Sequence, residues 1–145
     1  MRIAVDGEFE LDDDSSRIDL ESLWAFLSEK AYWQRWRSRT DVERQVAGSW
    51  RVVGVYRLDG GAMVGFARAV SDGSMAYLSD VYVDESVRGR GLGKALVGEM
   101  VTRDDASAMK WLLHTSDAHG LYRLFGFHEP NERLMERDPN GPRVQ

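Results

Sequence analysis

Arg88-Gly89-Arg90-Gly91-Leu92-Gly93-Lys94 is the stretch on which the reading of this chain turns. Before it runs an apolar, strand-like segment, Tyr77 to Val83. After it, Leu92, Leu96, Val97, Met100 and Val101 recur as one face of a helix. The glycines let the chain turn sharply and let a ligand approach bare backbone. The first N–H groups of a helix have no intrahelical partners and sit at the positive end of its dipole. Such a terminus is a ready anion site, and Arg88, Arg90 and Lys94 add three positive charges to it. A phosphate or pyrophosphate is the ligand that suits it. Two familiar phosphate loops fail on spacing. Gly93-Lys94 is followed by Ala95 rather than Ser or Thr, and Arg88 stands where a Walker loop has its first glycine. The dinucleotide pattern G-x-G-x-x-G fails because the third glycine comes one residue early. The bland alternative is a glycine-rich connection with incidental basic residues.

Working outward, Trp50 to Leu58, Met63 to Val70 and Met75 to Val83 read as three strands. Asp59-Gly60-Gly61 and Asp72-Gly73-Ser74 are the turns between them. Short turns make neighbours antiparallel, so this is a meander. Upstream, Ile3, Val5, Phe9 and Leu11 suggest a strand, and Asp12-Asp13-Asp14 a solvated turn. Asp19 is placed to cap a helix whose Leu20, Leu23, Trp24, Leu27 and Ala31 share a face. Thr40-Asp41-Val42-Glu43 has the T-x-x-E form of a capping box and opens a second helix. Downstream, Lys110 to Thr115 reads as a strand, reached through a helix and so parallel to the third meander strand. Ser116-Asp117 then caps a short helix, and Phe127 to Glu129 with Arg133 to Glu136 reads as a last strand pair. The expected fold is α+β, with a mixed, mostly antiparallel sheet flanked by helices. One domain is expected over residues 1–137, with 138–145 a loose tail rich in Pro, Asn and Gly.

The 145 residues carry a formal charge of −5, which argues against a nucleic-acid partner. With no cysteine, disulfides and a thiolate nucleophile are excluded. No apolar run reaches the length of a membrane span, and no basic-then-apolar leader opens the chain. A cytoplasmic protein without membrane contact is the expectation. No histidine pair has metal-binding spacing, so no metal is expected.

The glycine turn resembles the R/Q-x-x-G-x-G/A acetyl-CoA motif of the GCN5-related N-acetyltransferase (GNAT) family. The segment from Ala118 through Tyr122 to Gly126-Phe127 is similar to a second family signature, A-x-x-x-Y-x-x-x-G-F. The two motifs stand one helix and one strand apart, as in that family, and the order of elements before them also fits. The resemblance implies a family fold in which the fourth and fifth strands splay, here after Tyr77 to Val83. It implies acetyl-CoA as co-substrate, with its pantetheine arm on the backbone of Val81, Tyr82 and Val83. Its pyrophosphate would lie on Arg88, Gly89, Arg90, Gly91, Leu92, Gly93 and Lys94. It implies that Tyr122 protonates the departing thiolate, and that the stretch holding Tyr32, Trp33 and Trp36 borders the acceptor pocket. The bland reading of Tyr122 is a core aromatic; that of the aromatic trio is plugging of the core.

Other residues bear on the chemistry directly. Asp80 is a lone carboxylate in an apolar strand and needs a reason. It is a base acting through water, an anchor for the acceptor amine, or the partner of Arg68 on the facing strand. Arg68 is accordingly also a candidate at the acceptor site. His119 precedes Tyr122 by three residues, hence shares its helix face; it either shuttles a proton and touches the cofactor or is solvated. The activity implied is acetyl transfer to a primary amine of a small molecule, peptide or protein, by a monomer or homodimer. The alternatives are a module of the same fold that binds acyl-CoA without turning it over, and a different phosphate-using enzyme.

Overall fold

The computed structural model describes residues 2–29 and 37–144. Six strands form one sheet in the order β1 to β6: β1 Arg2–Val5, β2 Phe9–Asp12, β3 Arg51–Arg57, β4 Met63–Ser71, β5 Met75–Val83 and β6 Lys110–Leu112. Neighbours are antiparallel except β5 and β6, which run parallel. The central strands are apolar on both faces because both faces are covered. Val53, Val55, Ala67, Ala69 and Leu78 pack under helix α3, Leu92–Thr102, through Leu96, Val97 and Met100. Val52, Phe66 and Tyr82 meet Leu23 and Leu27 of α1, Leu20–Glu29, and Val42 of α2, Arg39–Ala47. A last short helix, α4, spans His119–Arg123.

The meander and α3 stand where the sequence puts them, and Asp19 bonds the Ser22 amide at the start of α1. Four readings change. The opening strand is a hairpin, β1 and β2, because Asp6 and Gly7 adopt left-handed backbone between them. The strand that resembles the family's fourth is therefore the fifth in this chain. The α2 cap is Ser38, not Thr40. Ser38 takes the extended conformation a cap needs, and its hydroxyl and the Asp41 carboxylate each bond the other's amide. The hydroxyl of Thr115, rather than Ser116 or Asp117, bonds the Ala118 amide ahead of α4. The segments 127–129 and 133–136 form no strand pair. Leu134 and Met135 are exposed and find no second layer to cover them, and Pro130 interrupts any ladder between the two. Side chains tether this part of the chain instead: Glu129 pairs with Arg123, and Glu136 with His114.

Candidate active site

β5 and β6 pair only over Met75↔Lys110, Ala76↔Trp111 and Tyr77↔Leu112. Beyond that point the two chains part. On its other side β5 is bulged: Arg68 faces Ser79 and Phe66 faces Tyr82, so Asp80 and Val81 together oppose Ala67. Asp80 occupies the bulge with φ of +52°, a left-handed conformation that Asp tolerates better than most residues. A bulge of this kind bends its strand and increases its twist. The split opens as a cleft of about 430 Å³, floored by Tyr77 to Val81 and walled by His114 to Ala118 and Tyr122.

Asp80 is buried among cations. Arg68 Nε lies 2.7 Å from its Oδ2, and Arg37 bonds both carboxylate oxygens, at 2.8 and 2.7 Å. Burial by itself raises the Asp80 carboxyl; the hydrogen bond from Arg37 and the charge of Arg68 outweigh it and hold the group below the ordinary carboxylate range. The expected Arg68–Asp80 pair is therefore present, with Arg37 as a second partner. Arg68 also reaches the Ser79 hydroxyl and does not line the cleft. Asp80→Asn keeps the shape and the left-handed backbone but withdraws the negative charge that the Arg37 and Arg68 guanidinium groups both bond. It should cost on the order of 3 kcal/mol of stability, as for removal of one partner of a buried pair, measured by urea denaturation. Because the folded-state value is depressed, the stabilisation is present above the ordinary carboxylate value near ~4. It is lost as pH falls through the lower folded-state value.

The chain of β5 leads on from the cleft to the glycine turn. A 3₁₀ turn, Glu85–Val87, links β5 to it, and Arg88 Nε donates to the Val83 carbonyl. Gly91 is the N-cap of α3, left-handed at φ +78°, and no side chain caps the helix there. A Cβ at Gly89 or Gly91 would meet no atom within 4 Å, so the space over this backbone is open. Leu92 is buried in the α3 core, so only its backbone faces this space, while Gly93 and exposed Lys94 continue the first turn. Arg90 is placed otherwise than expected. Its guanidinium pairs with Asp6 at 2.8 Å and Glu8 at 2.7 Å on the β1–β2 turn and lies 4.7 Å over the Phe9 ring. Its charge is thus largely balanced within the protein.

Tyr122 is buried at the edge of the α3 core, its ring edge-on to Phe127, and lines the cleft. Val81 and Val83 pack toward α3, whereas the Tyr82 ring stacks on Phe26 in the α1 layer at 3.7 Å. His119 is exposed and does not line the cleft. Tyr32, Trp33 and Trp36 lie outside the described residues. The sequence reading missed His114, which lines the cleft and bonds Tyr77 and Glu136. The available signal was modest: His114 follows Leu112 by two residues, on the strand that must neighbour Tyr77. Among the described residues no group of side chains could hold a metal ion, and no helix is long and apolar enough to cross a membrane. A larger depression of about 690 Å³ lies beyond the other end of α3, beside Trp50 and Arg103, away from both motifs.

Residues 49–129 match the family model described as "Acetyltransferase (GNAT) domain". Among solved structures, a Xanthomonas campestris protein assigned to the GNAT acetyltransferases is 36% identical, with a TM-score of 0.83 over 90% of this chain and 93% of that one. A Deinococcus radiodurans protein described as an acetyltransferase superposes with a TM-score of 0.70 at 20% identity, covering 94% of each chain. Glucosamine-6-phosphate N-acetyltransferase from Arabidopsis thaliana shares the fold at 14% identity, with a TM-score of 0.63 over 89% of this chain and 97% of that one. No curated protein matches the chain.

Proposed function

Because the chain belongs to the GNAT acetyltransferase family, we propose that it moves an acetyl group from acetyl-CoA to a primary amine. The observation that carries this reading is the split between β5 and β6, bulged at Asp80 and running toward the uncapped N-terminus of α3. The residues present fit the co-substrate. Gly89 and Gly91 leave room for a pyrophosphate against the backbone, and the first-turn amides of α3 with Arg88 and Lys94 supply donors and charge. Arg90 contributes mainly by fixing the turn to the β1–β2 hairpin. On its β6 side, β5 past Tyr77 has no strand partner among the described residues, so Val81, Tyr82 and Val83 can offer backbone groups to an extended arm. The thioester is the reactive group that acetyl-CoA brings.

A backbone N–H at the bulge is the oxyanion donor, preorganised by the buried Arg37–Asp80–Arg68 cluster. Tyr122 gives its phenolic proton to the leaving sulfur. Asp80, ionised and held by two arginines, anchors the bulge. The acceptor is a small-molecule, peptide or protein amine, entering beside Tyr77 and His114. Thermal shift with acetyl-CoA, ATP and NAD tests the reading, because a ligand bound only to the native state raises its apparent stability. Only acetyl-CoA should stabilise the protein, and thiol should be released when amines are added. Stabilisation by ATP or NAD instead would overturn the proposal; acetyl-CoA binding without thiol release would leave a binding module.

A further inference from the structure

The cleft holds a hydroxyl–imidazole–carboxylate chain that the transfer scheme above does not use. Tyr77 Oη lies 2.6 Å from His114 Nδ1, and His114 Nε2 lies 2.9 Å from Glu136 Oε1. The three residues come from the first part of β5, the chain leaving β6, and the segment after α4. Tyr77 is the last β5 residue paired with β6, so this chain stands where the split begins. Tyr77 and His114 both line the cleft that Tyr122 lines from its wall.

The direction of the hydrogen bonds follows from chemistry. A carboxylate can only accept, so Glu136 places the proton of neutral His114 on Nε2. Nδ1 is then a lone pair, and the Tyr77 hydroxyl donates to it. A phenol aimed in this way can accept a proton at its oxygen while it gives up its own. Imidazole is the side chain whose ordinary titration spans neutral pH, so it can receive that proton.

We propose that Tyr77 removes the proton from the acceptor nitrogen and passes its own to His114, a step that rests on the transferase reading. The nitrogen lone pair forms the C–N bond to the acetyl carbonyl carbon. The nitrogen's proton goes to Tyr77 Oη as the Tyr77 hydroxyl proton goes to His114 Nδ1. The C–S bond breaks with its electron pair on sulfur, which Tyr122 protonates, and the resulting Tyr122 phenolate takes a proton back from solvent. His114, now an imidazolium held by Glu136, returns its proton to solvent through its exposed side. Tyr77 is the catalytic residue of this relay; His114 receives through it, and Glu136 is a positioning residue. The charged groups facing Tyr77 are Asp80 on its own strand, Arg68 on β4 and Glu136.

The test measures thiol release from acetyl-CoA across neutral pH, using a panel of primary amines and hydroxylamine as the smallest nucleophile. Tyr77→Phe should lower kcat about 10²-fold, the low end for loss of an acid–base group, with acetyl-CoA affinity changed by less than about two-fold, since no proton moves in the ground state. His114→Gln should give a similar loss and remove the acid limb of the kcat profile. Glu136→Gln keeps a hydrogen-bond partner, but its amide can donate as well as accept and no longer fixes the proton of His114 on Nε2, so kcat should fall while acetyl-CoA affinity stays at the parent value. A merely structural trio would lower thermal stability and leave the profile where it was; that result, or parental turnover by Tyr77→Phe, overturns the relay alone. If the parent protein binds acetyl-CoA yet releases no thiol with any nucleophile, the transferase reading falls and the relay with it.

Discussion

Tyr122→Phe should lower turnover by about 10²–10⁴-fold, the range expected when a general acid is lost, while acetyl-CoA binds as it does to the parent. The substitution keeps the ring, which is what packs at the edge of the α3 core and against Phe127. Only the phenolic hydroxyl disappears, and with it the proton it carries. Its use is confined to the transition state, where negative charge collects on the sulfur. The loss should therefore appear in kcat and kcat/KM together. Steady-state kinetics beside a calorimetric titration of acetyl-CoA separates this from a packing role. A tyrosine serving only the core would give a lower Tm and near-normal turnover in the folded fraction, and Tyr122 would then leave the mechanism.

Gly91→Leu should abolish acetyl-CoA binding and leave the fold in place. Gly91 is left-handed, and a side chain there costs roughly 1–2 kcal/mol in backbone strain. It does not collide with the protein, since a Cβ at this position meets nothing within 4 Å. What the side chain does fill is the open space over the first turn of α3, where a pyrophosphate must come close to the amides. Gly60→Leu is the matched control. Gly60 has φ of +82° and equally open surroundings, but it sits in the β3–β4 turn, away from the cleft. Both variants should lose similar stability in thermal melts, and only Gly91→Leu should lose binding. Equal binding by the two would mean that the anion site lies elsewhere.

The position of Arg90 bears on how such a loop is read. Three basic residues around a glycine turn suggest three cations for one ligand. In the folded protein one of the three is held by Asp6 and Glu8, which are more than eighty residues away in the chain. The count of charges in the motif therefore overstates the field offered to a phosphate. Part of the loop's basic character serves instead to dock the β1–β2 hairpin beside it, with Phe9 under the guanidinium.

The features legible from the sequence are those decided within a few residues of one another. The meander follows from Asp59-Gly60-Gly61 and Asp72-Gly73-Ser74 standing between apolar runs, because a tight turn commits its flanking strands to pair. The α3 face follows from the spacing of Leu92, Leu96, Val97 and Met100, and the sharp turn before it from glycines at the junction of strand and helix. Even locally one choice needed the fold: Thr40 heads the capping pattern read from the sequence, yet Ser38, two residues earlier and extended in its backbone, does the capping. The remainder is tertiary. Arg37 reaches Asp80 across 43 positions, and His114 joins Tyr77 across 37 and Glu136 across 22. No periodicity links residues so far apart. His114 meets Tyr77 because β6 pairs with β5 as far as Leu112↔Tyr77, and Arg37, just ahead of α2, meets Asp80 where β5 bulges. The sequence by itself determined the meander, the glycine turn after it and, through the family resemblance, the candidate tyrosine; only the packed structure decided the two ends of the sheet, which charges are taken up and which side chains share the cleft, because burial and desolvation act on neighbours in space.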